Sequence, residues 1–216
     1  QNRTSTKSLW YYLTVIAMAK KKNMKVMLYS NGIGPLERKG NIKKTKKILD
    51  KVDLITLRDE RSYKTLHEIG IENKNVKVTA DPALDLDIAD EKLGKAILKN
   101  EGVPSDKKLL GVSVRKWQNL GSEFETQIAN ACDYAYEKYG YYTVFLPMQS
   151  SRDTAIMQNI KRKMKHESAI IKKRYSVEGM LSIIKCFDMC IGMRLHTLIY
   201  AAINSVPLIG LVYDPK

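Results

Sequence analysis

Cysteine is scarce in this 216-residue chain. Cys132, Cys186 and Cys190 make an odd count without the paired spacing of a zinc site, so no disulfide framework is expected and a reducing cytosol is the expected compartment. Cys186 and Cys190 flank an apolar run, where a free thiol behaves as a small hydrophobe. Long hydrophobic runs are missing too. The longest, Leu9–Met18, is too short to span a bilayer and gives way to Lys20–Lys22. No signal-peptide pattern opens the chain, and its start at Gln1, just ahead of a helical pattern, is what an internal fragment would look like. Internal repeats and low-complexity tracts are absent. So are a P-loop, a GxGxxG spacing and a metal-ligand cluster, so neither phosphoryl transfer proper nor an obligatory metal is expected. Acidic residues are in short supply: 23 Asp and Glu face 37 Lys and Arg, a net charge of +14. That balance calls for an anionic partner, whether phosphorylated metabolite, nucleic acid or acidic membrane surface.

What is there is alternation. Short apolar runs at Lys25–Ser30, Asp53–Arg58, Val76–Ala80, Leu109–Val114, Tyr142–Leu146, Phe187–Ile191 and Pro207–Leu211 read as buried strands. Amphipathic stretches such as Ser122–Lys138 and Asp153–Lys165 lie between them. The pattern predicts βαβ units and mainly parallel sheets, whose ligands sit at the carboxyl ends of the strands. A boundary is expected between Asp85 and Lys108, with a linker at Gly102–Ser105, giving domains at 1–100 and 105–216.

The most telling stretch is GMRLH, Gly192–His196, where a strand turns into a helix. Free N–H groups and the dipole make such a corner attractive to anions. Arg194 adds a forked donor that matches phosphate or carboxylate, and the imidazole of His196 belongs to a class that titrates near neutral pH. An arginine at a helix start opposes the macrodipole and needs a reason to be there. A lone histidine is more often satisfied by a backbone carbonyl inside the fold, so His196 alone would be weak. Arg58 closes the second strand, where its side chain can reach the sheet's carboxyl edge. Gly32, in the Asn31–Pro35 turn, offers either a tight turn or backbone contact to a sugar. Asp81 ends a strand or lines a cleft; Gln149 and Asp153 follow a strand, and Asp153 is equally a helix-start residue. Trp10-Tyr11-Tyr12 reads as core packing rather than a sugar platform. His67 and His166 read as solvated.

Together YSNGIGPL (Tyr29–Leu36), VDLITLRDERS (Val52–Ser62), VTADPAL (Val78–Leu84), VFLPMQSSRD (Val144–Asp153) and the closing GMRLH…YDPK resemble the polysaccharide pyruvyl transferase family, especially its bacterial cell-wall branch. The resemblance runs through nearly the whole chain, in the family's order. It implies a GT-B-like pair of Rossmann-like domains, the first truncated at its N-terminus, with the active site in the cleft between them. It implies transfer of pyruvate from phosphoenolpyruvate, a co-substrate rather than a cofactor, to two hydroxyls of a sugar. The product is a cyclic ketal, and phosphate is released. The implied acceptor is N-acetylmannosamine in a lipid-linked cell-wall glycan, whose ketal helps anchor surface-layer proteins. His196, Arg194 and Arg58 would be catalytic. Arg194, Arg58, Lys216, Leu195, Gln149, Gly32 and Asp81 would bind substrate. The setting would be cytoplasmic, with peripheral contact to anionic lipid at the inner face of the plasma membrane through the basic clusters.

Two other classes fit parts of the sequence. A GT-B nucleotide-sugar glycosyltransferase shares the architecture, although two adjacent cationic groups suit a compact anion better than a uridine ring. A nucleic-acid-binding module has only charge in its favour: the basic runs lack interleaved aromatics, and no helix-turn-helix, zinc-finger or RRM signature is present.

Overall fold

The apolar runs become short parallel strands, and the helices between them bury one stripe each against the sheets. The computed structural model describes residues 6–117 and 120–213. The fold is α/β, and the chain divides into two compact units, Gln1–Leu84 and Asp85–Lys216.

In the first unit, β1 (Met27–Asn31), β2 (Leu54–Leu57) and β3 (Val76–Val78) form a parallel sheet in that order. Helices α1 (Thr6–Lys21), α2 (Lys39–Leu49) and α3 (Glu60–Glu68) connect or precede them. The core gathers Leu9, Leu13, Leu49, Ile55, Leu57 and Leu66. Asp59 starts α3, its carboxylate accepting the Ser62 N–H at 2.7 Å. Trp10, Tyr11 and Tyr12 do not pack as the sequence reading expects. All three are exposed on α1, because its buried stripe runs through Leu9 and Leu13; the Trp10 indole N–H donates to Asn41 Oδ1 and Lys44 lies over its ring.

The second unit holds a five-stranded parallel sheet ordered β6-β5-β4-β7-β8. The strands are β4 (Lys108–Ser113), β5 (Tyr141–Phe145), β6 (Ser168–Ile170), β7 (Met189–Gly192) and β8 (Leu208–Gly210). Helices α4 (Glu91–Asn100), α5 (Ser122–Tyr139), α6 (Ser150–Lys163), α7 (Val177–Lys185) and α8 (Leu195–Ile203) complete it. Leu110, Val112 and Val114 of the β4 run pack on Ile128, Ala129 and Cys132 of α5 and on Ile156, Met157 and Ile160 of α6. By strand alternation Leu109, Gly111 and Ser113 look to the opposite face. There Gly111 lies against Phe187, and α8 packs on β7 and β8. The three-residue edge strand β6 escapes the sequence reading, being too short to show a period between its charged flanks.

The domain boundary also falls earlier than the expected 100/105. Unit one stops at Leu84, and α4 packs on α7 in the second unit. Gly94 lets the two helices touch, since a Cβ there would overlap the Ser182 carbonyl oxygen. Glu101, just past α4, accepts hydrogen bonds from the Lys172 and Lys173 N–H groups and the Tyr175 hydroxyl. Those bonds hold the Glu101 carboxyl below its usual range despite burial and push Tyr175 up to about 12, where burial is the larger cause. All three cysteines are free; burial raises the thiols of Cys132 and Cys190 to about 11 and about 12, which leaves them as apolar packing groups.

Candidate functional site

Strand order places a candidate site in the second unit. From β4 the chain adds β5 and β6 on one side, then returns to lay β7 on the other, so chain direction diverges between the carboxyl ends of β4 and β7. That crevice is where doubly wound sheets bind ligands. Ser113 and Gly192 are register partners at this edge, and the Arg115 N–H reaches Met193 Sδ at 3.5 Å.

Arg194 stands at the start of α8 with extended backbone and no side-chain cap. Its guanidinium turns instead to Asp153 on the first turn of α6. Nε donates to Oδ2 at 2.9 Å, and Nη2 donates to Oδ1 at 2.6 Å and to Gln149 Oε1 at 3.1 Å. The Asp153 side chain is 0% exposed and that of Arg194 18%. A carboxylate so buried needs a cation, and the two-pronged pairing fixes the guanidinium plane. Asp153 also accepts the Gln149 N–H at 2.9 Å, stitching the turn after β5 to the same arginine. Of the guanidinium, Nη1 alone stays unbonded among the described residues.

Leu195 and His196 follow on the exposed first turn of α8. His196 makes no hydrogen bond among the described residues, and its ring centroid lies 6.2 Å from that of Tyr200. It is therefore not the carbonyl-satisfied core histidine that a lone imidazole usually is. His166 differs: half-buried in the turn before β6, it stacks on Tyr136 and meets Glu137 at 3.1 Å.

The first unit brings three of the sequence candidates together at its own carboxyl edge. Arg58, just past β2, donates from Nη1 to Asp81 Oδ2 at 3.1 Å and lies 3.5 Å from Asp59. Its guanidinium covers Gly32, where a Cβ would sit 2.6 Å from Nε. Asp81 also accepts the Ala83 N–H at the start of a short 3-10 turn, Pro82–Asp85. Lys216 lies outside the described residues.

Sequence reading missed three groups at the β4–β7 edge. The hydroxyls of Ser113 and Thr197, both on fully buried residues, and the buried Nε of Arg115 have no hydrogen-bond partner among the described residues. The signal was available. SVRKW follows a strand just as GMRLH does, and the strand-end rule that picked out Arg194 applies equally to Arg115. Among the described residues no group of three or more His, Cys, Asp or Glu could hold a metal ion, and no helix is long and apolar enough to cross a membrane.

Comparison with known proteins follows the same lines. The family model described as polysaccharide pyruvyl transferase matches residues 1–215. Among curated proteins none matches the chain. Among solved structures, the S. aureus MnaA–UDP co-structure superposes with a TM-score of 0.64 at 14% identity, covering 96% of this chain and 62% of that one. UDP-GlcNAc 2-epimerase from Neisseria meningitidis bound to UDP-GlcNAc gives 0.61 at 13% identity, covering 94% and 57%. The glycosyl transferase family 9 structure from Veillonella parvula DSM 2008 gives 0.52 at 12%, covering 95% and 62%. At such identities the likeness shows the fold, Rossmann-like and of the GT-B kind. The chain spans less than two thirds of the length of each of these structures.

Proposed function

The chain belongs to the polysaccharide pyruvyl transferase family, and we propose that it moves pyruvate from phosphoenolpyruvate onto two hydroxyls of a glycan sugar. What supports this reading most is the run Arg194–His196. There a guanidinium locked by a buried carboxylate, an uncapped helix start and an unbonded imidazole sit on consecutive residues beside the β4–β7 crevice.

The chemistry needs those parts. Phosphoenolpyruvate carries a phosphate and a carboxylate, and both must be met by positive donors once water leaves. Protonation of its methylene carbon makes C2 electrophilic, and a first acceptor hydroxyl adds there and loses its proton. The C2–O bond to phosphate then breaks, and a second hydroxyl closes the ketal and gives up its proton to the departing phosphate or a base. An imidazole suits either the proton delivery or the removal. In the first unit Arg58, with Asp81 and Gly32, is read as a substrate-contacting group, and Lys216 as a point charge for phosphate. The acceptor is read as N-acetylmannosamine in a lipid-linked cell-wall glycan, the ketal serving surface-layer anchoring. For contact with anionic lipid we propose the groove of about 720 Å³ on α1 and α2 lined by Lys21, Lys44, Lys47 and Lys51. Failure to bind anionic liposomes at low salt would remove that part.

His196→Ala gives the cleanest test, because the side chain is exposed and holds nothing in place. The expected result in a transfer assay with phosphoenolpyruvate and a glycan acceptor is a loss of roughly 100-fold or more with an unchanged circular dichroism spectrum. Turnover near wild type would sink the assignment. Arg194→Ala is less clean than its exposed sequence position suggests, since it also strands the Asp153 carboxylate.

A further inference from the structure

Buried polar groups are almost always paired, so a cluster of unpaired ones at a strand edge points to something that completes it. Ser113 looks to the α8 face of the sheet, and its register partner on that face is Gly192. Thr197 lies over the same glycine: a Cβ on Gly192 would sit 3.4 Å from the Thr197 Cβ and 2.9 Å from Leu198 Cδ2. Both residues thus flank one bare stretch of backbone, both are 0% exposed, and neither hydroxyl has a hydrogen-bond partner among the described residues. Two residues past Ser113, Arg115 leaves the strand end. Its guanidinium carbon stands 5.2 Å from the Trp117 ring centroid and 5.8 Å from that of Tyr213, and those rings meet edge to face at 4.8 Å. Arg115 has no ion pair among the described residues, in contrast to Arg194 and Arg58. The aromatic pair steadies the cation without consuming its donors.

We propose that Ser113, Arg115 and Thr197 form an oxyanion subsite at the carboxyl ends of β4 and β7, taking one of the two anionic groups of the donor. The inference rests on the donor reading above for the identity of the ligand but not for its class. Arg194 is neutralised by Asp153, so a dianionic or trianionic donor needs another cation at this edge, and Arg115, with no ion pair among the described residues, can supply one. The hydroxyls supply neutral donors next to the start of α8, which has no side-chain cap. A carboxylate and a phosphate group share this recognition chemistry, and the experiment separates them.

The measurement is calorimetric titration of the 216-residue chain with phosphoenolpyruvate, inorganic phosphate and pyruvate. It compares wild type, Arg115→Gln and Thr197→Val, with folding checked by thermal denaturation. The expected result is saturable binding of phosphoenolpyruvate weakened about tenfold or more by Arg115→Gln. Thr197→Val should weaken it by a smaller factor without lowering the melting temperature of the unliganded chain. A purely structural threonine would show the reverse. Loss of phosphate affinity in Arg115→Gln assigns the phosphate to the subsite; loss with pyruvate assigns the carboxylate. Binding of inorganic phosphate that depends on Arg115, with none of phosphoenolpyruvate, keeps the subsite and removes the donor reading. Wild-type affinity for all three ligands in Arg115→Gln overturns the subsite and leaves the donor reading standing. Absence of binding to any of them in the wild-type chain also overturns it.

Discussion

The two sheets are laced alike at their amino edges and differ at their carboxyl edges. In the first unit Asp53, just before β2, accepts the Val26 N–H at 2.7 Å, joining the entrances of β1 and β2. In the second, Asp188, just before β7, accepts the Leu109 N–H at 2.8 Å, joining β7 to β4. At the other end the first unit satisfies itself. Thr56 Oγ1 accepts the Ser30 N–H, the Ser30 and Thr79 hydroxyls meet at 3.0 Å, and Ser62 Oγ accepts the Ile33 N–H. At the carboxyl edge of the five-stranded sheet the Ser113 and Thr197 hydroxyls and the Arg115 Nε have no hydrogen-bond partner among the described residues. One edge is finished by its own side chains; the other leaves buried polar atoms open among the described residues, as the proposed subsite requires.

The largest effect expected from breaking this comparison is on the two arginine–aspartate pairs. Asp153→Ala strands a mostly buried guanidinium and should cost about 3 kcal/mol or more. Asp81→Ala removes a contact from Arg58, whose side chain is 35% exposed, and should cost about 1 kcal/mol or less. The chain has two tryptophans, Trp10 in one unit and Trp117 in the other. Urea unfolding of Trp10→Phe and Trp117→Phe backgrounds therefore reports each unit separately. Equal costs would mean that the buried pair is no more structural than the exposed one.

Next in size are the hydroxyls. Thr56→Val leaves the Ser30 N–H unpaired inside the first unit, where Ser30 is already held at φ 46°, and should cost roughly 1–3 kcal/mol. Ser113→Ala deletes a hydroxyl with no hydrogen-bond partner among the described residues, so in the unliganded chain it should be neutral or stabilising. Thermal unfolding of the two variants checks the contrast. A Ser113→Ala penalty as large as that of Thr56→Val would show that the second edge is satisfied after all.

These differences explain what sequence could and could not show. Strands buried on both faces, such as Leu109–Val114, announce themselves as unbroken apolar runs, and the parallel α/β fold follows from their alternation with helices. The strand-end rule finds Arg58, Arg194, Gln149 and Asp153 as single positions. It cannot see that Asp153 holds Arg194, because the two are 41 residues apart and are joined only by the order in which β5 and β7 flank β4. The same rule reaches Arg115 as a strand-end position, but that it has no ion pair among the described residues is a property of packing, which no local pattern shows. The boundary moved for a similar reason, since nothing local tells α4 that it will lie on α7.

The smallest effect tests the edge where the two sheets agree. The Asp53 carboxyl is held at about 2, against an ordinary 3.8, chiefly by a hydrogen bond from Lys20 and then by the Val26 N–H. Lys20 lies 2.7 Å away at the end of α1, so this one carboxylate ties α1, β1 and β2 together. A folded-state pKa below the unfolded one means that the ionised form favours folding. Its contribution is complete above the unfolded value near 3.8 and is lost as pH falls through about 2. Asp53→Asn should therefore lower the urea midpoint of the first unit by a constant amount from neutral pH down to about pH 4, and the gap to wild type should close below that. The exposure of the pair keeps the amount small. A gap that persists unchanged to pH 2 would mean that the Asp53 charge is idle and that hydrogen-bond geometry alone laces the amino edge, which would then be the only device needed for Asp188 in the second sheet.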